Sequence, residues 1–174
     1  MQGKTIWLTG LSGAGKSTIA QNLVEFYSRK NERWVMLDGD ETRNNLCVDL
    51  SFNLTDRTEN IRRISCVAKL LNTQGFWVVC ALISPLITQR NLARNIIGNK
   101  NFLEIFISTS LQTCEIRDVK GLYKNARHGD LKNFTGITSP YEHPISPMLT
   151  LNTEFLKIQE CVNKIDDLIS KEQK

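Results

Sequence analysis

The stretch "TGLSGAGKST", Thr9 to Thr18, restricts the possible folds more than any other part of the chain. It satisfies the spacing GxxxxGK[ST] through Gly10, Gly15, Lys16 and Ser17, with the β-like run "KTIWLT" before it. The run "STIAQNLVEFYSRK", apolar at helical spacing, follows. Strand, glycine-rich loop and helix in this order form a phosphate-binding loop. Glycines let the backbone turn tightly, so the N–H groups around Ser12, Gly13, Ala14, Gly15 and Thr18 and the positive end of the helix face a nucleotide's phosphates. Lys16 neutralises phosphate charge, and Ser17 offers a hydroxyl to Mg²⁺, an ion that keeps several waters and bridges nucleotide oxygens. The loop alone leaves ATPase, GTPase, kinase and molecular switch open.

Apolar strand-like runs recur at "TIWLT", "WVMLD", "FWVVCALI" and "FLEIFI", separated by helix-period segments. The alternation predicts an α/β fold of βαβ units around a mainly parallel sheet. A helix is expected over Thr55 to Gln74, with Asp56 as cap, Glu59 completing a capping box, and an apolar stripe of Ile61, Ile64, Val67, Ala68 and Leu71. Gly75 stops it. Ser84 and Pro85 read as N-cap and first position of a helix over "LITQRNLARNIIG". The last helix is expected from Thr153, packing through Phe155, Ile158, Val162, Ile165 and Leu168. Glycine, proline and basic residues crowd together between about Gly121 and Pro147, where apolar periodicity fades, as in a long functional loop or lid.

With 174 residues the chain has the size of one domain, expected over residues 1–174. A 41% hydrophobic and 23% charged composition is that of a soluble globular protein. The net charge of +4 suits anionic nucleotides and is too dispersed to imply nucleic-acid binding. The five cysteines lack metal or CxxC spacing and read as reduced, mostly buried thiols. No basic and apolar leader precedes the first strand, and the longest apolar run is too short to cross a bilayer, so a cytoplasmic protein without membrane attachment is expected.

The second strand ends in "LDGD", which puts Asp38 and Asp40 at the sheet edge where open α/β folds bind ligands. A carboxylate there can order metal-bound water or accept a proton from an attacking hydroxyl. The third strand runs into "ISP" without an acid, leaving Asp38 to take the metal-side role, and no guanine-reading NKxD is present. A small-molecule kinase fits best. Arg57 and Asn60 share a helix face and can reach one ligand, with Arg43 nearby, although surface arginines are more often merely solvated. Phe52 and Phe134 stand in polar surroundings, where each could stack a nucleobase or anchor a loop.

Taken together, "GLSGAGKST", "DGDETR", "DRTENIRRI", "ISP", "CEIRDVKGLYKNAR" and "FTGITSPYEHP" resemble the adenylylsulfate kinase family, in order and over nearly the whole chain. The resemblance implies a P-loop kinase fold with helices on both faces of the sheet, a mobile lid over about 117–147, ATP and Mg²⁺ as cofactors, and a homodimer. It implies transfer of the γ-phosphate of ATP to the 3′-hydroxyl of adenylyl sulfate in sulfate assimilation. Residue by residue, Asp38 and Asp40 match acids near metal and acceptor hydroxyl, with Ser17 and Asp38 on the metal. Arg43, Arg57 and Asn60 match acceptor contacts, and Phe52 and Phe134 match the aromatics around its base. Ile83 and Ser84 match the segment beside the acceptor, Lys120 the lid lysine near the transferring phosphate, and Arg117 a residue beside the ATP base. The chain departs from the usual pattern at Ser51, Leu86 and Val119, around acceptor and lid. A cytidine nucleotide such as cytidine diphosphoramidate is therefore the alternative acceptor, and a non-catalytic nucleotide-binding regulatory module the alternative from another class.

Overall fold

A computed structural model describes residues 3–172; the outer ends of the expected 1–174 domain lie outside them. Five strands form one sheet: β1 (Thr5–Thr9), β2 (Trp34–Asp38), β3 (Trp77–Ala81), β4 (Phe102–Ile107) and β5 (Leu149–Leu151). Their order is β2-β3-β1-β4-β5, and every pairing is parallel. Helices α1 (Lys16–Ser28), α2 (Gly39–Asn45), α3 (Leu54–Thr73), α4 (Ile87–Ile97), α5 (Leu111–Arg117), α6 (Leu122–His128) and α7 (Ile158–Glu172) complete the chain, with one tight turn at Asn99–Asn101.

Successive strand side chains point to opposite faces, and the core divides accordingly. On one face Ile6 and Leu8 meet Ile19 and Leu23 of α1 and Val162 and Ile165 of α7. On the other, Trp7, Val78 and Cys80 meet Ile61, Ile64 and Ala68 of α3 and Ala93 and Ile97 of α4. Covering helices on both sides explain why the central strands are buried almost throughout. Ile165 is fully buried, so Ile165→Ala should cost about 2–5 kcal/mol. A lower urea midpoint with an unchanged slope would register that loss.

Several local expectations need correction. Asn53, not Asp56, caps α3: its side chain accepts from the Asp56 N–H at 2.9 Å, and the helix begins at Leu54, so the cap lies three residues before the expected one. Glu59 completes no capping box and pairs instead with Arg62 and Arg63. Helix α4 starts at Ile87, after Leu86, because Ser84 has φ +38 and is taken up by tertiary hydrogen bonds. The last helix starts at Ile158, leaving Phe155 82% exposed outside it, since Thr153 is engaged with the phosphate loop. Strand β5, only three residues long, went unread; its register comes from pairing with β4. The expected lid region is not wholly irregular, since it contains α6. Among the described residues all five cysteines are free, with Cys66 exposed and the other four buried.

Candidate active site

The carboxyl ends of the three strands β2, β3 and β1 lie level, Asp38 pairing with Ala81 and Ala81 with Leu8. This edge therefore collects the phosphate loop, the two acids and the segment after β3, as ligand sites in open parallel sheets do. A cavity of about 1080 Å³ opens there.

Two glycines make the loop possible. A Cβ on Gly10 would stand 2.5 Å from the Ile107 carbonyl oxygen, and Gly15 has φ +100 at the N-cap of α1. The loop is gripped from behind. Tyr123 donates to the Ser12 carbonyl at 2.9 Å, while Thr153 and Thr109 donate to that of Ala14 at 2.9 and 3.2 Å. Lys16 is buried and donates to the Leu11 carbonyl at 2.7 Å. Burial pushes its pKa down to about 8, against the opposing pull of Cys114, Asp38 and Asp40.

Asp38 ends β2 and caps α2, its Oδ1 accepting from the Asp40 N–H at 2.9 Å. Its Oδ2 accepts from the Ser17 hydroxyl at 2.5 Å, so one carboxylate links the phosphate loop to the acidic turn. Asp40, one residue into α2, forms an ion pair with Lys120, which joins the α5–α6 segment to the acidic edge.

Away from the phosphate loop, the same cavity is lined by Arg43, Phe52, Arg57, Asn60, Ile83, Ser84 and Phe134. Phe52 is 59% exposed and carries the Arg43 guanidinium 4.3 Å from its ring centre. Burial, then the charge of Arg43, lowers the pKa of Arg57. Phe134 meets Tyr123 edge-on at 5.0 Å. Asn60 is buried, and its Oδ1 has no hydrogen-bond partner among the described residues. A buried acceptor left open in a cavity wall is costly unless a ligand supplies a donor. Ser84 accepts from the Trp7 indole N–H at 3.0 Å, and its carbonyl accepts from Arg90 at 2.7 Å.

A sequence profile described as adenylylsulphate kinase matches residues 2–152. The chain belongs to the adenylylsulfate kinase family. It is 50% identical over 165 residues to the adenylyl-sulfate kinase of Pseudomonas entomophila, covering 95% of this chain and 79% of that one. It is 48% identical over 168 residues to that of Bacteroides fragilis strain YCH46, covering 97% and 83%. The solved structure of the Mycobacterium tuberculosis APS kinase with AMPPNP and APS superposes with a TM-score of 0.94 at 44% identity, covering 97% of this chain and 98% of that one. Among family members this chain therefore has the P-loop kinase fold, an all-parallel sheet flanked by helices.

Of the residues singled out from the sequence, Ser12, Gly13, Gly15, Lys16, Ser17, Thr18, Asp38, Asp40, Lys120, Arg43, Phe52, Arg57, Asn60, Ile83, Ser84 and Phe134 all line this cavity. Gly10, Ala14 and Arg117 lie outside its lining. Arg117 stands beside the loop, donating to the Thr153 hydroxyl at 2.8 Å and carbonyl at 2.9 Å. Sequence reasoning missed Thr135, Tyr123, Thr153 and Trp7. Only the position of Thr135 next to Phe134 offered a clue, since a hydroxyl donor or acceptor leaves no periodic mark.

Proposed function

We propose that this chain acts as a single P-loop kinase domain and transfers the γ-phosphate of ATP to the 3′-hydroxyl of adenylyl sulfate, yielding 3′-phosphoadenylyl sulfate. The observation that carries this reading is the continuity of one cavity from Lys16 and Ser17 to Phe52, Phe134 and the unpartnered Asn60. A donor and an acceptor nucleotide can meet there head to head. Asn60 Oδ1 is an acceptor, so a ribose hydroxyl or base amine suits it and a sulfate or phosphate oxygen does not.

The Ser17 hydroxyl and Asp38 carboxylate converge, and no group of three or more His, Cys, Asp or Glu side chains gathers among the described residues. That donor set fits Mg²⁺, which brings its own waters, better than an ion needing an all-protein cage. When bound, Mg²⁺ would neutralise charge between the β- and γ-phosphates. Lys16 and the loop N–H groups hold those phosphates. Lys120 leaves Asp40 for the transferred group, and Asp38 receives or relays the acceptor proton as the 3′-oxygen attacks in line. Arg43 neutralises the acceptor's anionic group, Ile83 and Ser84 border it, and Arg117 flanks the ATP base. Residues 117–147 serve as the lid, and the protein works as a homodimer.

Product mass after incubation with ATP, Mg²⁺ and adenylyl sulfate tests the reading, with cytidine diphosphoramidate as a parallel acceptor. One added phosphate on adenylyl sulfate supports it. A kcat/KM a hundredfold higher for the cytidine compound would reassign the acceptor, and ATP binding without transfer to either would leave a regulatory module. Phe134→Ala should raise the acceptor KM about tenfold with kcat nearly unchanged, because stacking worth about 1–3 kcal/mol acts in ground and transition states alike. Initial rates over an acceptor series decide that split.

A further inference from the structure

Arg57 places three donors on three different acceptors. Its Nε donates to the Phe52 carbonyl at 2.8 Å, Nη1 to the Thr135 hydroxyl at 2.8 Å and Nη2 to the Asn133 carbonyl at 2.6 Å. One planar group thus ties the backbone of the first aromatic platform to the residues on both sides of the second.

Each end of this tie is itself stiff. Before α3, Asp56 Oδ2 accepts from the Ser51 N–H at 2.9 Å, the Ser51 hydroxyl at 2.5 Å and the Asn53 amide at 2.9 Å. Arg43 donates to the Ser51 carbonyl at 2.9 Å, so the turn presenting Phe52 is held on two sides. At the far end Asn133 has φ +58, and the Phe134 N–H donates to the Thr138 hydroxyl at 2.9 Å. Thr135 is 1% exposed, and no partner for its hydroxyl other than Arg57 is seen among the described residues. A guanidinium has a rigid fork of donors, which an ammonium on a flexible stem lacks.

We propose that Arg57, acting through Thr135 and the Phe52 carbonyl, is a positioning residue that sets the gap between Phe52 and Phe134 and thereby selects a planar base. The inference rests on the acceptor reading above. It differs from a direct charge contact to the acceptor, because three of the five N–H bonds of Arg57 serve the protein.

Thr135→Val separates the two roles, since it removes the hydroxyl Arg57 grips and leaves every charge in place. Calorimetry of the purified protein with adenylyl sulfate should show affinity weakened about five- to tenfold, as expected for losing one charge-assisted hydrogen bond. ATP affinity should stay within about twofold. In a Phe134→Ala background the same change should add less than about twofold, because the gap has already lost a wall. Arg57→Lys, measured in the same way, serves if the threonine variant fails to fold. Unaltered affinity in the single variant, or full additivity with Phe134→Ala, overturns the proposal. Because binding is read without turnover, a wild-type protein that binds adenylyl sulfate but does not phosphorylate it refutes the kinase reading alone. One that does not bind it refutes both.

Discussion

Replacing Lys16 by alanine is expected to lower kcat/KM for ATP by about 10²–10³-fold, the scale of removing one preorganised electrostatic contact from a water-poor site. The side chain is buried, so its charge acts at low screening, and among the described residues its one acceptor is the Leu11 carbonyl. The other lysines lining the cavity are Lys120, already paired with Asp40, and Lys132. The same burial makes the effect pH-dependent. With a pKa of about 8 in the ligand-free protein, Lys16 loses its proton as pH rises through that value, so kcat/KM for ATP should fall above about pH 8. Bound phosphate favours the ammonium, so kcat should hold to higher pH. Stability runs the other way: between about 8 and the ordinary lysine value of 10.5 the unfolded chain binds more protons, so this group's contribution to stability rises with pH there. Opposite slopes of ATP kcat/KM and urea midpoint above pH 8 would display both halves of the argument. A kcat/KM profile flat to pH 10 would rule out burial of the free ammonium.

What could be read from the sequence was whatever leaves a spacing. The phosphate loop, the alternation of β and α segments and the Arg57–Asn60 face each follow from local periodicity, and all reappear in the fold. The start of α3 did not, because Asn53 and Asp56 are both good capping residues, and the hydrogen bonds of Ser51 to the Asp56 carboxylate, which apolar periodicity does not show, decide between them. Ser84 misled for a similar reason. Serine before proline reads as a helix start, yet the Trp7 indole from β1 and Arg90 from α4 take its hydroxyl and carbonyl. Phe155 fits the apolar stripe of α7 by count alone, while the demand of the Ala14 carbonyl for the Thr153 hydroxyl keeps the chain out of the helix there. The neighbourhood of Phe134 hinted at Thr135, but its significance lies in a partner 78 residues away.

Asp38 carries the second large effect, and the choice of substitution decides what is learned. Asp38→Ala would remove both the charge facing Ser17 and the cap of α2, and cap loss alone costs about 1 kcal/mol and would loosen Asp40. Asp38→Asn keeps a capping oxygen and removes the charge, so it separates the charge from the cap. If this carboxylate takes or relays the acceptor proton, its benefit exists chiefly in the transition state. The asparagine variant should then lose about 10²–10⁴-fold in kcat while ATP affinity changes only a few-fold. Asp40→Asn should differ, because that carboxylate holds Lys120 rather than Ser17. Releasing Lys120 disturbs where the α5–α6 segment rests before substrate arrives, which should appear first in KM. Rapid-quench measurement of the transfer step, with ATP affinity measured separately, distinguishes the two patterns. A normal transfer rate in Asp38→Asn beside a collapsed rate in Asp40→Asn would hand the proton to the second acid, whose place one residue into α2 also faces the cavity.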